Sequence, residues 1–342
     1  MFTTLFGPGS LVTAITAVTA VTAVTAITAV TAITAFVVIA AGCDDPNPRP
    51  CGVCAAYGDA LAVGNVTSPA VNELSGIAAS ARYDNVYYAQ DDDPVPFEGL
   101  MVNVHALDDT GKLLAHWALA DVRVGNLEDI DVGPCPAGSC VYTGDVGNNS
   151  GDQSPYPMYR IPEPVIDRNA PPTTSTLTGF DTIHLEYPDG LPRDCEAFVV
   201  HPQTGAIYII EKKTGSHAAV FEVPPWPEPA AGNDPTLTMT YVGDLSLVPD
   251  GTTAEDQQIV GADIHPCAGK MLVRTYSHIY EYTLPAGAPF EAIFGTTPVK
   301  VRNPGSSESI AYLWDGLGYL SVPEGVNPPL TVVRCEAPVA SP

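Results

Sequence analysis

Basic residues are scarce. The chain of 342 residues carries 14 lysines and arginines against 39 aspartates and glutamates, a formal net charge of −25. A surface that acidic repels phosphate backbones, which excludes nucleic acid as a partner unless a cation bridges the two. Charge of either sign is sparse, at 15% of residues, while 34 prolines and 30 glycines punctuate the chain. With 45% hydrophobic residues this composition describes a compact, turn-rich protein rather than a charged disordered one. Gly-x-Ser-x-Gly, His-Glu-x-x-His and the phosphate-binding loop are all absent, which argues against serine-elbow, zincin and P-loop chemistry.

No charge of any kind precedes Asp44. Within residues 1–43, Thr13 to Ala35 is a three-residue repeat of Thr-Ala-Val or Thr-Ala-Ile, and the segment ends in Val38-Ile39-Ala40-Ala41-Gly42-Cys43. That ending resembles the bacterial lipobox, in which small residues precede a cysteine that is acylated and becomes the mature N-terminus. The resemblance implies lipidation at Cys43 and anchorage to membrane lipid. The other reading is a retained transmembrane anchor, since residues 11–42 exceed the roughly 20 needed to span a bilayer. Either reading exports the remainder to the bacterial cell envelope. Seven cysteines follow Cys43, and in an oxidising compartment they predict disulfides, with Cys135 and Cys140 stapling one hairpin turn and one thiol left over. Cys51-Gly-Val-Cys54 alone is a weak redox or zinc signal.

Residues 44–56 read as a short extended tether. From 57 to 342 no convincing helix pattern occurs; short β-branched and aromatic runs alternate with Gly, Pro, Asn and Asp turns. Five segments begin alike, at Glu73-Leu-Ser-Gly-Ile, Glu128-Asp-Ile-Asp-Val, Cys195-Glu-Ala-Phe-Val, Ala262-Asp-Ile-His and Glu308-Ser-Ile-Ala. Each is followed by a turn and a second strand ending in polar residues. A spacing of about 50–65 residues is that of propeller blades. Four units supply four strands each and the last supplies three. A strand from Tyr57 to Val66 fits the gap, so the chain predicts an all-β, five-bladed β-propeller closed by pairing of its N-terminal strand with the last blade. Six blades is the alternative. Closure brings Cys335 to Cys51 or Cys54 and removes free edges.

In such a ring the first strand of each blade lines a central channel, and its start meets the end of the second strand at one face. Ser75, Glu128, Glu196, Asp263 and Glu308 then surround the axis as metal ligands, with Asp91, Asp145, Asn148, Glu211, Lys212, Arg274 and Glu324 behind them. Crowded carboxylates repel one another unless protonated or bound to a cation, and hard oxygen ligands favour Ca²⁺. The plainer reading of acidic residues before strands is turn formation. His201-Pro202 and His265-Pro266 fall in turns at the opposite face and read as structural.

Leu127-Glu-Asp-Ile-Asp-Val, Tyr142-Thr-Gly-Asp-Val-Gly-Asn-Asn, Tyr159-Arg-Ile-Pro-Glu-Pro and Tyr187-Pro-Asp-Gly with Asp194-Cys-Glu-Ala resemble a group of secreted bacterial propeller lipoproteins with phytase-like or gluconolactonase-like relatives. The resemblance covers residues 70–335. The blade starts are also similar to those of calcium-activated nucleotidases, or apyrases, five-bladed proteins that hold Ca²⁺ through Ser and Glu at the strand starts. Ser75, Glu128, Glu196 and Glu308 match that pattern, and Gly261-Ala262-Asp263 departs from it. Two functions follow as expectations. The first is a Ca²⁺-dependent hydrolase of phosphoesters or lactones, in which Lys212 and Arg274 meet the substrate and Glu128, Asp129 or Asp145 serves as base. The second is a monomeric, non-catalytic propeller with calcium as a structural plug and a protein or glycan partner.

Overall fold

In the computed structural model the sequence alternation resolves into five antiparallel sheets around one axis. Residues 49–92, 96–97, 100–101, 104–122, 126–151, 153–212, 217–227, 234–247, 253 and 257–339 are described. The lipobox-like ending with Cys43 and the Thr-Ala repeat lie outside them.

Blade 1 runs outward from Leu74–Ala79 through Val86–Asp91 and Val104–Asp108 to Leu113–Leu119. Blade 2 follows with Asp129–Cys135, Gly138–Gly144, Tyr156–Pro162 and Asp181–Glu186, and blade 3 with Cys195–Val200, Ile207–Glu211, His217–Val223 and Thr240–Ser246. Blade 4 is Ile259–Ile264, Lys270–Thr275, Ile279–Thr283 and Val299–Val301. Blade 5 combines Ala311–Tyr312, Gly318–Ser321 and Pro329–Val339 with the N-terminal Val53–Asn65, paired antiparallel from Val53↔Val339 to Asn65↔Pro329. The ring therefore closes as the strand count requires, and pairing starts at Val53, inside the segment the sequence assigns to the tether.

One strand divides differently. The run from Thr236 reads as a single strand of blade 3, yet Thr236–Thr238 pairs parallel with the outer strand of blade 2, and Thr240–Ser246 joins blade 3. Met239 between them is 2% exposed and packs in the core between the two blades, which fixes the switch point. Thr173–Leu177 likewise reaches back to pair with blade 1. These exchanges cover outer edges that would otherwise offer unpaired backbone.

Apolar side chains fill every gap between neighbouring sheets, one cluster for each of the five interfaces. Tyr87, Tyr208, Tyr280, Tyr312 and Phe198 are fully buried in them, each stabilising the fold by about 1.5–3 kcal/mol through area removed from water. Disulfides Cys51–Cys267 and Cys54–Cys335 tie the N-terminal segment to blades 4 and 5, and Cys135–Cys140 closes a hairpin. The CxxC pair is thus spent on two separate bridges. Cys195 is the thiol left over, buried against the Tyr187 hydroxyl at 2.8 Å. Three bridges mark a protein matured in an oxidising, extracytoplasmic setting.

Candidate metal centre

The inner strands of blades 1, 3 and 4 open with the same β-bulge: Leu74 pairs with Asp91 and Gly76 with Gln90, Cys195 with Glu211 and Ala197 with Ile210, Ile259 with Thr275 and Gly261 with Arg274. The bulged residues are Ser75, Glu196 and Val260. In blade 2, Glu128 holds this place, its N–H donating to Gly144 just before the Asp129↔Gly144 pair. Blade 5 is placed by its bonds: Tyr312 N donates to Asp263 as Val200 N donates to Asp131, four residues past Glu308 and Glu196 respectively.

This register corrects one expected ligand. The residue of blade 4 equivalent to Glu128 is Val260, and Asp263 is the counterpart of Asp131, deeper in the channel. Gly261 shows why the fourth blade departs: a Cβ there would lie 2.4 Å from the Glu308 carbonyl oxygen, so the strand approaches blade 5 too closely for a larger residue. Asp129 belongs with Asp131 and Asp263. Its carboxylate accepts from Ile130 N at 2.8 Å and from Phe198 N of the next blade at 3.2 Å. All three are buried and shifted upward by burial, and all three are engaged in stitching inner strands together.

At the opposite end of the inner strands the carboxylates converge with far fewer donors. Glu128 is 2% exposed, and its carboxyl is pushed up to about 10, first by burial and then by Glu308 and Asp92, with Lys212 opposing. Glu324 is raised as well, by burial and then Glu308 and Asp92, and is hydrogen-bonded carboxyl to carboxyl with Glu308. Glu73, Asp92 and Glu324 each place one oxygen within 4.8 Å of the others. Two oxygens bound to one ion at about 2.4 Å are at most about 4.8 Å apart, so a single Ca²⁺ can bridge this triad. Glu196 is bonded to the Lys212 ammonium through one oxygen, and its other oxygen, Oε2, is buried without a donor. Crowded carboxylates and an orphaned oxygen are the donor chemistry a hard divalent cation takes.

The remaining expected residues support this centre. Ser75 donates its hydroxyl proton to the Glu128 carbonyl at 2.7 Å, fixing blade 1 to blade 2. Asp145 accepts from Asn126 N and Gln153, ordering the rim, while Asn126 donates its side-chain amide to Glu128. Gly147 of the Gly-Asp-Val-Gly-Asn-Asn run has a local reason: a Cβ there would stand 2.2 Å from Glu128 Oε1. Arg274 is fully buried and donates through Nε and Nη2 to the carbonyls of Ser307 and Gly305, so it braces the loop that delivers Glu308, while its Nη1 is buried without an acceptor. Lys212 does face the funnel, with its ammonium 5.7 Å from the Tyr276 ring centroid. Tyr276, whose hydroxyl bonds Glu308, escaped sequence reasoning; Glu73 was read only as the start of a blade and Asp92 only as part of a solvated loop, because all three sit one residue outside a strand.

Fold and site together define a five-bladed β-propeller with an acidic funnel at one face. No protein-family model matches the sequence, and no curated protein matches it. Among solved structures, the chain is similar to an aldose sugar dehydrogenase with bound PQQ from Streptomyces coelicolor, at 12% identity and a TM-score of 0.43 over 82% of this chain and 99% of that one. It is also similar to a gluconolactonase from Xanthomonas campestris, at 10% identity and a TM-score of 0.40 over 84% and 99%. At such low scores the chemistry has to come from this chain's own residues.

Proposed function

We propose that this protein is an extracytoplasmic, Ca²⁺-dependent hydrolase of lactones or related neutral esters, anchored to the envelope by acylated Cys43. The observation that carries the reading is the cluster of carboxylates at the funnel, with Glu73, Asp92 and Glu324 within reach of one ion and Glu196 Oε2 buried without a donor. A bound Ca²⁺ would polarise the substrate carbonyl and acidify a water beside it. Glu73, Asp92, Glu324 and Glu308 would hold the ion. Glu128, relieved of its like-charged neighbours, would accept the proton of the attacking water at Oε2, while the Asn126 amide keeps Oε1 oriented. The Lys212 ammonium would donate toward the carbonyl oxygen as charge develops there. Phosphoesters fit less well, since Arg274 is buried and braces backbone carbonyls and the Lys212 ammonium stands among several carboxylates.

The test is turnover of a lactone panel and of generic phosphoesters by the purified chain, with Ca²⁺ and with chelator. Lactone turnover lost both with chelator and in Glu128→Gln by about 10²-fold or more supports the reading. A Ca²⁺-dependent rise in melting temperature with no turnover of any substrate makes the ion a structural plug and overturns catalysis. Cys43→Ala should move the protein from the membrane to the soluble fraction.

A further inference from the structure

A second cavity lies on the face opposite the funnel, between blades 2 and 3. Its volume is about 420 Å³, and its walls include Tyr142, Arg160, Thr204, Glu222, Pro224 and Trp226. That size suits a ligand of one or two sugar rings. The wall is built around one immobilised indole. The Arg160 guanidinium sits 4.8 Å from the Trp226 ring centroid, and Tyr142 meets the indole edge-on with centroids 5.8 Å apart. Arg160 is itself 5% exposed and held by two bonds to Asp181, at 3.0 and 2.6 Å. Prolines 224, 225 and 227 restrict the backbone around the tryptophan. The Cys135–Cys140 bridge clamps the adjoining hairpin, and Tyr142 is pinned by its bond to the Pro134 carbonyl at 2.8 Å.

An aromatic wall fixed in advance costs little ordering entropy when a ligand packs against it. Asp181 already neutralises Arg160, and the chain as a whole is strongly anionic, so nothing favours an acidic ligand. The Thr204 hydroxyl and the Glu222 carboxylate line the same cavity as donor and acceptor for hydroxyl groups. We propose that this cleft binds a neutral saccharide, packed against the part-exposed Trp226 side chain with its hydroxyls bonded to Glu222 and Thr204. The site is independent of the acidic funnel and of the chemistry argued for it.

Isothermal calorimetry of the full chain with methyl glucoside, cellobiose and diacetylchitobiose, each with Ca²⁺ and with chelator, tests this. Saturable binding of at least one sugar is expected, unchanged by chelator. It should weaken tenfold or more in Trp226→Ala and several-fold in Glu222→Gln, whose melting transition verifies that the fold is kept. No saturable heat with any of the three sugars overturns the proposal. So does binding that survives Trp226→Ala, or binding of a polyproline peptide in place of the sugars.

Discussion

Carboxylates gather at the funnel and again toward the opposite face, and the two groups differ in what meets them. At the far end each carboxylate has donors. Glu163 accepts from Ser80, Ser139 and Tyr88, Glu281 from Tyr57, Tyr312 and Lys270, and Asp131 and Asp263 from backbone N–H groups of the next blade. The Arg49 guanidinium, bonded to the Trp314 and Leu313 carbonyls, adds a positive charge toward Asp263 and Asp131. At the funnel, carboxylates mostly face carboxylates. Burial of an acid is therefore no mark of function by itself, because the far end satisfies its acids and the funnel leaves some of them wanting a cation.

The comparison breaks most visibly at Glu281. Glu281→Ala strands two tyrosine hydroxyls and the Lys270 ammonium between blades 4 and 5, and should cost about 3–5 kcal/mol in denaturant unfolding, with or without Ca²⁺. Next in size is the ion itself. At a hundredfold excess over its dissociation constant, Ca²⁺ should add about 2.7 kcal/mol to the wild type and far less to Glu324→Gln, read from the shift in melting temperature. If instead the far-end variant lost its Ca²⁺ response and the funnel variant kept it, the two ends have been assigned the wrong way round. Asp131→Ala should cost about 1–3 kcal/mol by leaving Val200 N–H without a partner, and Asp131→Asn, which keeps an oxygen in place, much less.

The five sheets were legible because a period of two and regular turns survive in sequence, and the closing strand because one blade is a strand short. The pairing of Cys335 with one of the two N-terminal cysteines followed from that closure, and the bridge from Cys51 to Cys267 of blade 4 did not. Strand register, by contrast, leaves no mark in composition, so Asp263 could be aligned with Glu128 although Val260 holds that place and Asp263 lies three residues deeper. Arg274 looked available for the same reason: the carbonyls that consume it come from a loop about 30 residues further on. Glu73 and Asp92 reach the triad only because the chain ends of two strands and the loop bearing Glu324 meet in space.

The smallest effect expected concerns two histidines of the far-face hairpins. His201 Nδ1 accepts from Gln203 N and Thr204 N, and His265 Nδ1 accepts from Cys267 N while its Nε2–H donates to the Gly52 and Gly316 carbonyls. Burial holds both rings below the usual histidine value, and a proton on Nδ1 would also confront those N–H groups. The folded state then resists protonation that the unfolded chain accepts. Stability contributed by the neutral rings should be complete above about pH 6.5 and decline as pH falls below it, by less than about 1.4 kcal/mol per pH unit for each ring. Glu128 works the other way, since its raised carboxyl makes the chelated funnel easier to fold as pH falls. Denaturant midpoints between pH 7.5 and 5 for the chelated protein and for His201→Asn/His265→Asn separate the two. The double variant should lose the acid-side decline and keep the funnel's opposite slope, and an unchanged decline would show that these rings are not what the far end protects.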